Sequence, residues 1–217
     1  MLDRSFRVPH CSRIEREPMT DLTPEVHFSG IAKDYLSMAE RWPLSWIRPR
    51  EMRAVLELAG DVSGRHILEL GCGAGYYTRQ LLAAGAGHVT AVDISAAMVE
   101  ALPAKKVTGI VGDAALIKIT EKYCHILSTG MLEFVPDPAA AMSNARHHAT
   151  DEGRMVVLMP ELTWGGRCYR LYHRRHGLNI RLFSENEART LFEASGWRID
   201  AIRRVAPFTM VFALRAI

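Results

Sequence analysis

The sequence predicts a doubly wound α/β fold, a mostly parallel sheet with helices on both faces. Three observations carry that reading. Short apolar segments alternate with helix-patterned ones from His66 to Met159, the order that builds a parallel sheet covered on both sides. A glycine-rich turn, Gly71-Cys72-Gly73-Ala74-Gly75, stands between the first strand and the next helix. Finally, Arg198–Val205 and Thr209–Arg215 read as strands joined only by Ala206-Pro207-Phe208. That link is too short for a parallel crossover, so one of these strands must run antiparallel.

The elements follow in order. Residues 1–20 lack an apolar period and read as a flexible tail, with Met19 an alternative start. From Val26 to Ala59 the pattern is helical, with Ile31, Tyr35, Met38 and Ala39 on one face and Met52, Val55, Leu56 and Ala59 on another. Trp42-Pro43 separates the two helices, because proline lacks a donor and restricts the residue before it. Strands are expected at His66–Leu70, His88–Asp93, Val107–Val111, Cys124–Ser128 and Arg154–Met159. Helices are expected at Tyr76–Ala84, Ala96–Leu102 and Ala139–Ala149, the first two stopped by Gly85 and Pro103. Residues 161–183 interrupt the alternation. Ser184 with Glu187 three residues on forms a capping-box pattern before the helix Glu185–Ala194.

Bulk properties narrow the class. With 217 residues, 48% of them hydrophobic, the chain can bury one sizeable core, and 21–217 reads as a single domain. The net charge of +3 is too small to imply nucleic acid by itself. Cys11, Cys72, Cys124 and Cys168 form no C-x-x-C pair and no zinc-like spacing, so no metal site is expected and reduced thiols are the simplest reading. No apolar run approaches a membrane span, and charges throughout the first 20 residues break up any signal-peptide core. A cytoplasmic protein is the expectation.

The chemistry concentrates at three strand ends. Glu69-Leu70-Gly71-Cys72-Gly73-Ala74-Gly75 closes the first strand; its glycines let a ligand approach the main chain. Cys72 reads as a residue chosen for size. Asp93 ends the second strand, where a carboxylate can accept both ribose hydroxyls of an adenosine cofactor. Asp113 follows the third, placed to accept from an adenine amino group, with Ile94, Met98 and Ala114 as apolar faces for the ring. Thr129 ends the fourth strand, beside the same crevice. The spacing is not the G-x-G-x-x-G of a dinucleotide site, and Glu69 would repel a pyrophosphate while suiting an ammonium.

These residues resemble the first three motifs of class I S-adenosylmethionine-dependent methyltransferases, and the likeness runs on through Leu127–Pro138 and Gly153–Met159. The pattern is similar to the small-molecule branch, such as the enzymes of ubiquinone and menaquinone biosynthesis. The resemblance implies a Rossmann-like, seven-stranded sheet with an antiparallel last strand and S-adenosylmethionine as cofactor. It implies that Tyr35 covers the cofactor. Many relatives carry His where Phe134 stands, so a histidine role there is absent.

For the acceptor the residues say less. The 161–183 insertion is expected to form a lid. It holds Arg167, Arg170, Arg174, Arg175 and Arg181, two histidines, and a Gly165-Gly166 pair that could hinge. An anionic, aromatic or lipid-like small molecule would suit it, as would contact with a membrane surface. Candidate catalytic residues are His173, His176 and Glu133; His147-His148 reads as surface. An RNA methyltransferase and a non-catalytic cofactor-binding relative are the alternatives. Against the first, no Asn/Asp-Pro-Pro-Tyr/Phe motif follows the fourth strand and no appended RNA-binding domain fits. The sequence leaves the oligomeric state open.

Overall fold

The computed structural model describes residues 23–32, 34–39 and 44–217. The expected tail, the alternative start and the Trp42-Pro43 break lie outside the described residues. Three N-terminal helices are present where two were expected: α1 (Pro24–Ile31), α2 (Tyr35–Ala39) and α3 (Leu44–Ala59). The chain leaves the helix after Ile31, so Ile31 and Tyr35 sit on different helices yet meet the same small cluster of Ala32, Ala74 and Met98. Alternation then follows as β1 (His66–Leu70), α4 (Tyr76–Ala83), β2 (His88–Asp93), α5 (Ala96–Glu100), β3 (Val107–Val111), β4 (Tyr123–Thr129), α6 (Pro138–His148) and β5 (Ala149–Pro160). Helix α7 (Trp164–Arg175) and α8 (Glu185–Ala194) lead into β6 (Trp197–Val205) and β7 (Thr209–Ala216).

The seven strands lie in the order β3-β2-β1-β4-β5-β7-β6. β7 pairs antiparallel with both β5 and β6, so it alone runs against the other six. Strand order reverses between β1 and β4, and the crevice at their carboxyl ends is where an open α/β sheet takes a ligand. Successive strand residues feed opposite cores. Leu68 and Leu70 join Met142, Phe192, Trp197 and Phe212 under α6 and α8, while Ile67 joins Val55, Leu81, Val89 and Val156 under α3 and α4. A sheet buried on both faces needs this double apolar pattern.

Local signals set the helix starts. Ser184 and Glu187 form the full capping box of α8, and Asp137 caps α6 ahead of Pro138. The observed α5 is shorter than expected, and α6 ends one residue early because Ala149 already pairs with Tyr123 in the sheet. His148 corrects the surface expectation: it is buried, its Nδ1 lies 2.8 Å from the Asn144 carbonyl and its Nε2 accepts from Ile119 N–H at 3.0 Å. His147 is exposed. No helix among the described residues is long and apolar enough to cross a membrane.

The 161–183 segment is anchored at both ends. Leu162 N–H donates to Phe183 O at 2.8 Å and Phe183 N–H to Pro160 O at 3.1 Å, while Leu178, Ile180, Leu182 and Phe183 are buried. The Gly165-Gly166 pair serves close approach rather than a free hinge. A Cβ on Gly165 would stand 2.7 Å from Pro207 O, and one on Gly166 would overlap the Glu161 carbonyl oxygen.

Candidate active site

Glu69, fully buried, stands one residue before the end of β1, and the chain then turns through the glycine loop into α4. Gly71 (φ +73°) and Gly73 (φ +52°) hold left-handed conformations that side chains disfavour. Space closes both positions as well: a Cβ on Gly71 would lie 2.5 Å from Met131 Cβ, and one on Gly73 would lie 3.2 Å from the Tyr35 ring. Thus Tyr35 and Met131 cover the loop from two sides. Gly75 caps α4, and Arg79 ties the loop down from below, donating to Ala74 O at 2.6 Å, Gly75 O at 3.0 Å and Ala101 O at 3.0 Å. Cys72 is buried, and burial pushes its thiol well above the ordinary range, so size is its contribution.

Asp93 does more than sit at a strand end. Its Oδ2 accepts from Gly73 N–H at 2.8 Å and its Oδ1 from Ser95 N–H at 3.0 Å, so one carboxylate fixes the glycine loop and the start of α5 together. Burial raises its pKa, and those backbone donors oppose the rise. Two carboxylate oxygens offer about four acceptor positions, which leaves room for hydroxyls. Asp113 Oδ1 accepts from Ala115 N–H at 2.8 Å in the turn after β3. Ala114 and Met98 are buried, and Ile94 is exposed. Asn144 on α6 donates to Ala114 O at 2.9 Å, holding that turn. Thr129 is buried at the end of β4.

Glu69 carries an electrostatic tension. Thr78 Oγ1 donates to its Oε2 at 2.6 Å, but Oε1 is buried with no partner among the described residues. Burial pushes its pKa up to about 8, with Thr78 opposing and Asp93 adding to the rise.

Across the crevice, aromatic rings run in a row from the glycine loop to the β6–β7 turn. Phe28 meets Tyr35 at 6.3 Å and Phe134 at 5.0 Å, and Phe134 meets His173 at 5.5 Å. His173 in turn meets Tyr169 at 4.5 Å, and Tyr169 stacks on Phe208 at 4.6 Å. Glu133, next to Phe134 in the chain, is 4% exposed, its Oε2 without a partner among the described residues.

A family profile for a methyltransferase domain matches residues 45–202. The chain belongs to this methyltransferase family. The match agrees with the class I S-adenosylmethionine-dependent methyltransferases that the motif resemblance implied. It is similar to the ubiquinone biosynthesis O-methyltransferase of Bordetella pertussis, 28% identical over 124 residues, 50% of this chain and 51% of that protein. The corresponding enzyme of Aeromonas salmonicida is 29% identical over 146 residues, 63% of this chain and 61% of that one. The chain thus spans about half the length of the first of these relatives. Among solved structures, magnesium protoporphyrin IX methyltransferase from Synechocystis PCC 6803, with bound S-adenosylhomocysteine, superposes with a TM-score of 0.71 at 18% identity, covering 89% of this chain and 98% of that one. That likeness carries the fold alone.

The methyltransferase brings Glu69, the glycine loop, Asp93, Asp113 and Tyr35 to one end of the sheet, in the arrangement the sequence implied. The unpartnered Oε1 of Glu69 and the cradle closed by Tyr35 fit the ammonium and tail of a bound sulfonium cofactor. Of the catalytic candidates, Glu133 and His173 each hold a buried polar atom without a partner among the described residues, and His173 meets Phe134, the neighbour of Glu133 in the chain, whereas His176 sits exposed at the end of α7 with its Nδ1 2.8 Å from Tyr172 O. Burial, with His27 and His176 nearby, lowers the His173 pKa to about 4, so it is neutral at physiological pH. The arginines of 161–183 are all exposed, while the helix turns Tyr169 and His173 inward.

Sequence reading missed Arg48, Glu51, Phe28 and Arg79. Arg48 stands 3.8 Å from Glu51 and donates to Tyr77 OH at 3.4 Å, and Glu51 accepts from Thr209 Oγ1 at 2.7 Å. These partners come from α3, α4 and β7, and no spacing along the chain announces them. Only the placement of Arg79 four residues after Gly75 was a local signal.

Proposed function

We propose that this methyltransferase moves a methyl group from S-adenosylmethionine to an oxygen of a small, flat acceptor. The carrying observation is the row of rings Tyr35, Phe28, Phe134 and His173 beside the glycine loop, with a buried carboxyl, Glu133, next to Phe134 in the chain. The names of its ubiquinone-pathway relatives support oxygen as the methylated atom. The cofactor, when bound, supplies a methyl on an already activated sulfonium. The chain's task is then to align acceptor oxygen, methyl and sulfur, which can remove roughly 7–11 kcal/mol of barrier. In this reading Glu69, Gly71 and Gly73 hold the methionyl end, with Cys72 and Gly75 shaping the loop and Thr129 lining the crevice. Asp93 holds the ribose, and Asp113, Ile94, Met98 and Ala114 hold the adenine. Tyr35 closes over the cofactor, and α7 covers the acceptor. Measuring S-adenosylhomocysteine release against phenols, catechols, quinone precursors, carboxylic acids and tRNA tests this. Turnover confined to tRNA or to carboxylic acids overturns it.

Glu69 makes one consequence measurable. A carboxyl with a pKa of about 8 is mostly protonated at pH 7, and a neighbouring ammonium lowers that value. Cofactor binding at pH 7 is therefore expected to release close to one proton. Calorimetry in two buffers of different ionisation heat reads this directly, and Glu69→Gln should abolish the release.

The outer face of α7 supports a membrane-surface contact. Arg167, Arg170, Arg174 and Arg175 are exposed, Trp164 is 82% exposed, and Leu162 and Leu171 are exposed beside them. Such a face matches an anionic lipid surface in charge and polarity. Each arginine near such a surface contributes about 1 kcal/mol. Arg170→Ala with Arg174→Ala is then expected to weaken sedimentation with phosphatidylserine vesicles by roughly thirtyfold, with cofactor affinity unchanged. Equal vesicle binding by the variant, or retention on tRNA alone, overturns this contact.

A further inference from the structure

We propose that Glu133 is the general base that takes the proton from the acceptor's hydroxyl as its oxygen attacks the methyl group. The inference rests on the oxygen-acceptor reading above and deepens it.

Placement is the first argument. Glu133 stands in the turn after β4, and its backbone carbonyl accepts from Arg181 N–H at 2.9 Å, which pins it to the segment that closes the site. Its Oε1 lies 3.6 Å from where a Cβ on Gly130 would stand, so the carboxylate lies back against the end of β4. Met131, between the two, covers Gly71. Glu133 is also near enough to Arg48 and Glu51 of α3 and to Tyr169 of α7 for their charges to act on one another, which sets it beside the aromatic row.

Hydrogen-bond accounting is the second argument. Glu133 Oε2 is buried and has no partner among the described residues. An unsatisfied buried carboxylate oxygen costs free energy unless something donates to it. A bound hydroxyl supplies that donor. His173 Nδ1, also buried and unpartnered among the described residues, lies in the same aromatic row.

Charge is the third. Arg48 and Glu51 from α3, Tyr169 and His173 from α7, Tyr35 from α2 and His27 from α1 surround this space. Tyr169 is held neutral by burial, with Glu133 adding to that effect, and His173 is neutral as well. Burial pushes Glu133 up to about 8, Arg48 opposes the shift and Glu51 adds to it. A base with that affinity for a proton suits a hydroxyl better than an ordinary carboxylate does. Once ionised, Glu133 repels an acceptor that arrives as a carboxylate, so a neutral hydroxyl on a flat ring is the favoured class.

The step balances. An O–CH3 bond forms as the CH3–S bond breaks, the electron pair stays on sulfur, and the hydroxyl proton passes to Glu133 Oε2. Solvent takes it after the product leaves.

The test uses the full chain as wild type, Glu133→Gln and Glu133→Asp, with catechol and 4-nitrocatechol as probes. Glu133→Gln is expected to keep S-adenosylmethionine affinity within threefold. Its kcat with catechol should fall a hundredfold or more, and Glu133→Asp should recover part of that loss. The deficit should shrink to about tenfold or less with 4-nitrocatechol, which ionises far more readily and needs the base least. The wild-type rate should fall on the acid side of pH 8, and the variant should lose that limb. Independently of turnover, an infrared carboxylic-acid band that disappears near pH 8 in the wild type, to which Glu69 also contributes, should be smaller in Glu133→Gln. A variant within threefold of wild type, an equal deficit with both probes, or persistence of the full infrared band would overturn the base. A wild type that binds cofactor but methylates neither probe overturns the hydroxyl-acceptor reading and the base with it.

Discussion

Asp93→Ala is expected to weaken S-adenosylmethionine binding ten- to hundredfold and to lower the melting temperature at the same time. The carboxylate accepts from Gly73 N–H at 2.8 Å and Ser95 N–H at 3.0 Å, so its loss leaves two loop donors without their partner. Hydrogen bonds to a charged group contribute roughly 1.5–3 kcal/mol each, and the ribose contacts proposed for Asp93 fall in that range. Titration calorimetry gives the affinity and thermal denaturation the stability. Asp93→Asn, which keeps one acceptor oxygen, should lie between wild type and Ala on both scales. Wild-type affinity in Asp93→Ala would remove Asp93 from the cofactor site, whatever happened to stability.

Gly71→Ala should do more damage than its single methyl group suggests. The left-handed backbone at φ +73° costs a side chain about 1–2 kcal/mol. The new Cβ would stand 2.5 Å from Met131 Cβ, and that atom moves only with its backbone. Overpacking of this kind typically costs a further 1–3 kcal/mol. Relief would push the β4–α6 turn, with Glu133, away from the glycine loop. Denaturant unfolding should therefore show a loss of roughly 2–5 kcal/mol, and cofactor affinity should fall with it. Met131→Ala in the same chain should recover part of the cofactor affinity, because the side-chain atoms beyond Met131 Cβ are among those the new methyl would strike. Full stability in Gly71→Ala would show that the turn is free to move.

Much of this molecule was legible in the chain because the signals were local. Five parallel strands, the capping box at Ser184, the closing hairpin and the glycine loop each follow from a period, a turn residue or a cap within a few positions. Glu69, Asp93 and Asp113 were readable for a related reason: each is fixed by its strand end, and the parallel sheet brings strand ends together automatically. The break between α1 and α2 was not readable, since apolar positions continue across it and packing on Ala74 and Met98 decides the turn.

Chain sequence alone thus determined the fold class, the methyltransferase family and the convergence of Glu69, the glycine loop, Asp93 and Asp113 at one end of the sheet. Tertiary structure decided what faces that crevice from the other side. On α7, arginines and aromatic residues share one short helix, and only docking against the β6–β7 turn turns Tyr169 and His173 inward and leaves the arginines in water. His148 reads like His147 until Ile119 N–H approaches its Nε2 from another element. Gly165-Gly166 reads as a hinge until Pro207 and Glu161 fill the space beside it. Arg48 and Glu51 lie far from Glu133 along the chain and come near it only because α3 and the β4–α6 turn approach one another in the fold. Long-range contacts of this kind are set by which surfaces bury each other, and no spacing within a single element records that choice.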